Sequence, residues 1–312
     1  MIRAFAPATV ANVACGFDIF GFAIEGPGDV VLARANGEHR GVRIAAIHGD
    51  EGRLPLDAAR NTAGVAATRV LDVAGRADSG VSLEIEKRMP LSSGLGSSAA
   101  SAVAAAVAVN ELLGAKLDSM TLLRCALEGE RAACGVAHAD NAAPSLFGGF
   151  VLVRGMGERT SVHPLPVPDE LFCSWIHPHL AVDTGMARAA LGATIELARA
   201  ATQWGNVAAL VSALHESDYE LLGSALVDVV AEPVRHRFVP GFHDVRAAAL
   251  DAGALGGSLS GSGPSMFALC RGRSCADRVA IAMRDAFARA SDVACDAFVS
   301  RVGGPGARVE SS

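Results

Sequence analysis

The sequence predicts a mixed α and β chain in two domains. Three observations carry that reading. Strand-like and helix-like segments alternate along the chain, and 312 residues exceed one ordinary domain of roughly 100–200 residues. Residues 155–169 hold three prolines and two glycines and divide the two series. Apolar residues make up 51% of the chain and charged residues 19%, which excludes a disordered polymer.

Taken in order, residues 30–34 and 42–47 read as short strands. Residues 61–73 read as a helix, with Asn61 or Thr62 as its N-cap and Gly75 as its stop. Residues 81–86 alternate apolar and polar, the pattern of a half-buried strand, and Pro90 ends it. A long alanine-rich helix follows over 97–113, stopped by Gly114. A further helix covers 121–134 and ends at Gly135, and 147–153 forms a strand. Beyond the divide, 171–176 reads as a strand, and 187–191, 195–201 and 207–215 read as helical. A helix over 242–252 precedes a glycine- and serine-rich stretch at 253–263. A strand at 266–270, a helix at 276–290 and a strand at 294–302 close the series. The domains are expected at 1–158 and 159–312.

Charge and composition narrow the function. The net charge of −6 gives no basic face for nucleic acid. Lysine occurs only at Lys87 and Lys116, neither followed by Ser or Thr, so the chain has no GxxxxGK[ST] loop. The apolar run at 99–109 is too short for a membrane span of ~20 residues. No export signal is read at the N-terminus. Seven cysteines without CxxC spacing point to reduced thiols. The expectation is a cytoplasmic protein that binds neither nucleic acid nor membrane.

Three segments carry chemistry. The first is Pro90-Leu91-Ser92-Ser93-Gly94-Leu95-Gly96-Ser97-Ser98-Ala99-Ala100, between a strand and a helix. Its glycines let the backbone curl, and Ser97 and Ser98 open the helix, whose free N–H groups and dipole form an anion site. The helix that follows holds no Lys or Arg, so a phosphate here rests on backbone N–H groups, hydroxyls and a metal ion. The string also fits a dinucleotide GxGxxA, but that site needs an acid about 20 residues on at a strand end, and Glu111 and Asp118 do not fit. The second segment, residues 128–144, places Glu130 late in a helix and His138, Asp140 and Asn141 in the loop after it. A carboxylate beside triphosphate oxygens suits Mg²⁺, and Asp or Asn in this loop suits a substrate hydroxyl; spacing for zinc is lacking. The third, residues 256–264, puts four glycines and three serines before a strand. Close backbone approach to a ligand or to the other domain would use them.

The order of these motifs resembles the GHMP kinase superfamily, which phosphorylates small hydroxylated metabolites with ATP. Within it the chain resembles the homoserine kinase branch over nearly its full length. The matching residues include 6–12 with Gly16-Phe17-Asp18, 138–144 with Phe147-Gly148-Gly149, 184–188, 232–235 and 303–308. The resemblance implies an α+β, two-domain GHMP kinase fold. Its N-terminal domain would be ribosomal protein S5-like with a left-handed βαβ crossover, an exception to the right-handed rule. Its C-terminal domain would be ferredoxin-like.

The same resemblance implies a site between the domains for ATP, Mg²⁺ and L-homoserine. Arg188 and Arg235 would clamp the substrate carboxylate, for which a rigid charged fork is suited. Asn12 and Asp18 would take the ammonium, while Thr184, His138, Asp140 and Gly261 would line the pocket. Asn141 would hold the attacking hydroxyl. Ser98 and Glu130 would hold Mg²⁺, residues 90–100 would wrap the phosphates, and Asn61 and Thr62 would reach the adenine. Direct transfer without a strong base is the favoured course; an aspartate base is the alternative, and Asp140 is the nearest carboxylate. A different hydroxylated carboxylate as acceptor, or a non-catalytic ATP sensor, are the competing readings. Family members of this kind often pair as homodimers.

Overall fold

The computed structural model describes residues 1–135, 137, 139–155 and 157–310. Its first half runs β1 (Ile2–Ala11), β2 (Phe20–Ala35), β3 (Gly41–His48), α1 (Thr62–Val73), β4 (Gly80–Glu86), α2 (Ser97–Leu113), α3 (Ser119–Cys134), α4 (Ala139–Phe147), β5 (Phe150–Arg154) and β6 (Ser161–Leu165). The second runs β7 (Leu171–Pro178), α5 (Thr184–Ala189), α6 (Leu197–Glu216), α7 (Tyr219–Ala225), α8 (Glu232–Arg235), α9 (Phe242–Asp251), β8 (Gly256–Leu259), β9 (Met266–Arg271), α10 (Arg273–Ala290), β10 (Cys295–Arg301) and β11 (Arg308–Glu310).

Two sheets organise these elements. The first follows the order β11-β1-β2-β4-β3, with β5 on β2 and β6 on β5. Its β3 and β4 pair in parallel across α1, which makes the expected βαβ unit. The second has the order β10-β7-β9-β8, all antiparallel. Numbered within itself that order is 4-1-3-2 with helices after its first and third strands, the ferredoxin-like arrangement.

Helix α2 is apolar all round and is buried accordingly, against β1 and β2 and between α1 and α3. Phe150 of β5 stacks on Phe22 at 5.6 Å between centroids, and Phe22 meets Phe267 of β9 edge-on at 6.3 Å. This aromatic chain ties the two sheets into one core, which fixes the cleft between them.

Besides shifted bounds, chiefly β2 reaching back to Phe20, one continuous α6 where two helices were expected, and β8 inside the glycine- and serine-rich stretch, four departures bear on the site. Strand β1 was not anticipated, because eight of its ten residues are buried on both faces and give no alternation. The stretch 155–169 is not a plain linker, since it contains a 3₁₀ turn and β6. Strands β6 and β11 both lie beyond residue 158 yet hydrogen-bond into the first sheet. Asp140 and Asn141 sit in the first turn of α4 rather than in a loop; Pro144 inside that short helix concealed it.

Candidate functional site

The loop between β4 and α2 closes over the start of that helix. Gly96 is the N-cap, at φ 72° and ψ 27°, with no side chain bonded to the end. A Cβ there would stand 2.4 Å from Thr9 Oγ1 and 2.6 Å from Asn141 Oδ1, so only glycine fits. The first-turn N–H groups of α2 are therefore left without a capping side chain, and they stand at the positive end of the helix dipole. The serine-rich stretch before β9 braces this loop. Ser260 Oγ donates to Gly94 O at 2.7 Å, and Ser265 N–H donates to Ser93 O at 3.2 Å. A Cβ on Gly94 would lie 2.5 Å from Ser260 O, so the close backbone approach expected of this stretch is made to the loop before α2.

Beneath the loop lies a buried ion pair that sequence reasoning missed. Lys87 Nζ bonds Asp29 Oδ2, Ser97 O at 2.9 Å and Ser101 Oγ at 2.8 Å. Asp29 also accepts from Ser97 Oγ at 3.1 Å, Ser101 Oγ at 2.7 Å and Arg88 N–H at 3.1 Å. Both charged side chains are almost wholly buried. The network ties the interior of β2 and the residue that follows β4 to the start of α2. The one available signal was that Lys87 is among only two lysines and ends an amphipathic strand.

Glu130, on α3, faces the same cleft. It is buried, and its Oε1 has no hydrogen-bond partner. Burial pushes its carboxyl up to about 7, against the Ser98 hydroxyl and the charge of Lys87, which lower it. An orphaned buried carboxylate oxygen beside a serine hydroxyl fits a divalent cation. Among the described residues no group of three or more His, Cys, Asp or Glu could cage a metal. The donor set therefore suits Mg²⁺, which takes few protein ligands and fills its shell with phosphate oxygens and water.

The other end of the cleft is built from left-handed backbone and two guanidiniums. Asn12, Val13 and Ala14 have φ of 68°, 47° and 57°, a strained run at the end of β1. Its purpose is visible in Asn12, whose Nδ2 donates to Gly261 O at 3.0 Å and whose Oδ1 accepts from Asp18 N–H at 3.1 Å. Asp183 caps α5, placing Thr184 and Arg188 one turn apart on one face. Arg188 Nη1 pairs with Asp18 at 2.6 Å, and Thr184 Oγ1 meets Ser262 Oγ at 3.5 Å. Asp228 accepts the N–H groups of Val230, Ala231 and Glu232, which fixes α8 and with it Arg235. Arg235 is buried and donates to Gly261 O at 3.1 Å. Burial lowers its pKa, and the charge of Asp18 opposes that.

Asp140 and Asn141 stand between the two ends. Burial raises Asp140 to about 7, with the charge of Asp18 adding to the rise and Arg188 and Arg235 opposing it. Asn141 Oδ1 accepts a hydrogen bond from Thr9 Oγ1 at 2.9 Å.

One cleft of about 430 Å³ brings most of these residues together. Asn12, Asp18, Asp140, Asn141, Thr184, Arg188, Arg235 and Gly261 line one part of it. Asn61, Thr62, Leu91, Ser92, Ser93, Gly94, Gly96, Ser97, Ser98 and Glu130 line the other. Asn61 caps α1 by accepting from Ala63 N–H at 3.0 Å. Leu95, Ala99 and Ala100 turn into the core and Pro90 is exposed, so these four do not line the cleft. His138 lies outside the described residues. Ser262 lines it beside Gly261, within the stretch expected there, whereas Arg53, Arg60 and Lys87 line it without having been anticipated.

Comparison with known proteins agrees with this geometry. The model for the GHMP kinases N terminal domain matches residues 61–149, and that for GHMP kinases C terminal matches 210–289. The homoserine kinase of Chlorobium phaeobacteroides is 49% identical, covering 99% of each chain. The crystal structure of homoserine kinase from Cytophaga hutchinsonii is 50% identical, with a TM-score of 0.95 over 99% of this chain and 97% of that one. Lactococcus lactis galactokinase, solved with galactose, shares the fold at 16% identity, with a TM-score of 0.72 over 98% of this chain and 94% of that one. An uncapped helix start braced from a ferredoxin-like half, and matches on both sides of the cleft, place this chain in the GHMP kinase family.

Proposed function

We propose that the chain transfers the γ-phosphoryl group of ATP to the side-chain hydroxyl of L-homoserine, giving O-phospho-L-homoserine for threonine biosynthesis. One observation carries the reading. A single cleft joins an uncapped helix start and the buried Glu130 at one part to Asp18, Arg188 and Arg235 at the other, with Asn141 between. The near-full-length identity with homoserine kinases supports the choice of acceptor.

In this reading the N–H groups at the start of α2, with Ser97 and Ser98, bind the phosphates. Asn61 and Thr62 reach the adenine. Ser98 and Glu130 hold Mg²⁺, which when bound neutralises charge on the phosphate oxygens. Arg188 and Arg235 take the substrate carboxylate, and Asp18 with Asn12 takes the ammonium. Thr184 and Gly261 close the pocket, and Asn141 Nδ2 donates to the acceptor hydroxyl oxygen. The bond from that oxygen to phosphorus forms as the bond to the β,γ-bridging oxygen breaks, ADP leaves, and the hydroxyl proton is released. Phosphoryl transfer of this kind runs mainly on alignment and charge neutralisation, so a strong base is not required.

The first sheet with β6 and β11 forms the nucleotide half of the enzyme, and the ferredoxin-like half completes the substrate end. The family resemblance supports a cytoplasmic homodimer, which light scattering on the purified chain would check. The deciding experiment measures ADP release with Mg²⁺-ATP against L-homoserine, L-threonine, L-serine, mevalonate, galactose and no acceptor. Turnover confined to L-homoserine is expected. Turnover with another acceptor would discard the substrate end. ATP binding without turnover would favour a sensor.

A further inference from the structure

The two guanidiniums of the substrate end share one aromatic ring. The Cζ of Arg188 lies 5.1 Å from the ring centroid of Phe17, and the Cζ of Arg235 lies 5.2 Å from it. Phe17 does not line the cleft that both arginines line. Its ring is half-buried and lies within cation–π distance of both guanidiniums.

We infer that Phe17 is a positioning residue that holds Arg188 and Arg235 as a pair for the substrate carboxylate; the inference rests on the acceptor proposed above. Two like charges in a partly dry pocket need compensation. Arg188 has the carboxylate of Asp18. Arg235, although buried, has no carboxylate ion-pair partner among the described residues, only the carbonyls of Gly261 and Ala187. A ring quadrupole attracts a cation without using any of its N–H donors. Phe17 can thus hold both guanidiniums while their donors stay available to exchange partners. Chain geometry supports the division of labour. Phe17 and Asp18 are consecutive, and Asp18 is itself fixed by its N–H bond to Asn12 Oδ1, so one short segment supplies both the ring and the carboxylate.

Substitution separates this role from plain packing. Phe17→Leu keeps an apolar side chain of similar bulk and removes the π face, whereas Phe17→Tyr keeps the face. Phe17→Leu is expected to raise KM for L-homoserine about tenfold, with kcat and KM for ATP changed by less than about twofold. Phe17→Tyr is expected to stay within about twofold of the parent on all three. In the free protein, the Nε–Hε and Hδ signals of Arg188 and Arg235 should carry a ring-current shift that Phe17→Tyr retains and Phe17→Leu loses. A parent-like KM in Phe17→Leu would overturn the inference. So would equal losses in Leu and Tyr, a matching rise in KM for ATP, or unshifted arginine signals in the parent. The parent and Phe17→Tyr spectra need neither substrate nor the Leu variant, so unshifted arginine signals in either would overturn the inference even if Phe17→Leu is insoluble. A parent enzyme inactive on L-homoserine would instead count against the proposed function.

Discussion

Thr9 donates its hydroxyl hydrogen to Oδ1 of Asn141 across 2.9 Å, deep beneath the glycine that starts α2. With Oδ1 engaged, the amide nitrogen of Asn141 is the half left to hold an acceptor oxygen. Asn141→Ala should therefore lower kcat about 10²-fold and leave KM for ATP within about twofold. Thr9→Val, which keeps the shape and removes the donor, should cost about tenfold in kcat through the freed rotation of the amide. Steady-state kinetics of both variants checks this; an Asn141→Ala enzyme with nearly parental kcat would remove the residue from the site.

Asp140 gives a pH prediction. Its folded carboxyl sits at about 7 against an ordinary 3.8, mainly because it is buried. Between those values the folded chain keeps a proton that the unfolded chain has released. Stability from this group therefore falls as pH rises from about 4 to about 7, and the full penalty stands above that. Asp140→Asn cannot ionise, so it should melt higher than the parent at about pH 8 and show a flatter pH dependence of Tm. Direct transfer further predicts less than a tenfold loss of kcat, while a loss of about 10³-fold would make Asp140 the base.

Glu130→Gln tests the metal reading. The amide is nearly isosteric but supplies a neutral oxygen. Titrating Mg²⁺ at fixed ATP should show half-maximal activity at a higher Mg²⁺ concentration, with KM for L-homoserine little changed. An unaltered Mg²⁺ titration would take Glu130 out of that role.

The Lys87–Asp29 pair should be far more costly to halve than to remove. Lys87→Met leaves Asp29 a buried charge held only by two serine hydroxyls and one backbone N–H. The expected cost is about 3–5 kcal/mol, read from denaturant unfolding. Adding Asp29→Asn should recover much of it. Because the pair anchors the first turn of α2, KM for ATP should rise in the single variant. A loss of stability that Asp29→Asn does not relieve would contradict the coupling.

What could be read from the sequence followed how local each signal is. Residues 90–100 were legible because a turn, two glycines and a serine-opened helix all lie within one short string. Asp140 and Asn141 were singled out as site candidates but misplaced, since Pro144 masks the helix that carries them. Strand β11 is three residues long and exists only because β1 pairs with it, a contact across some three hundred positions. Lys87 and Asp29 are separated by 58 positions, and no periodicity signals a charge pair that closes only in the folded chain. Phe17 carries no polar group, so its place between two arginines is visible only in three dimensions.

The Asp18–Arg188 ion pair makes a prediction about substrate choice. Both side chains are about a third exposed and lie 2.6 Å apart, so the site holds one charge of each sign, paired with each other. A zwitterion can exchange partners evenly, its carboxylate taking Arg188 while its ammonium takes Asp18. A hydroxy acid takes Arg188 and leaves Asp18 without a cation in a partly dry pocket. The analogue of L-homoserine with hydroxyl in place of the α-ammonium should therefore show a kcat/KM about 10²-fold lower. Asp18→Asn should weaken L-homoserine while shrinking that gap to about tenfold or less, because the amide carries no charge to strand. Equal discrimination by parent and Asp18→Asn enzymes would mean that the ammonium is read elsewhere.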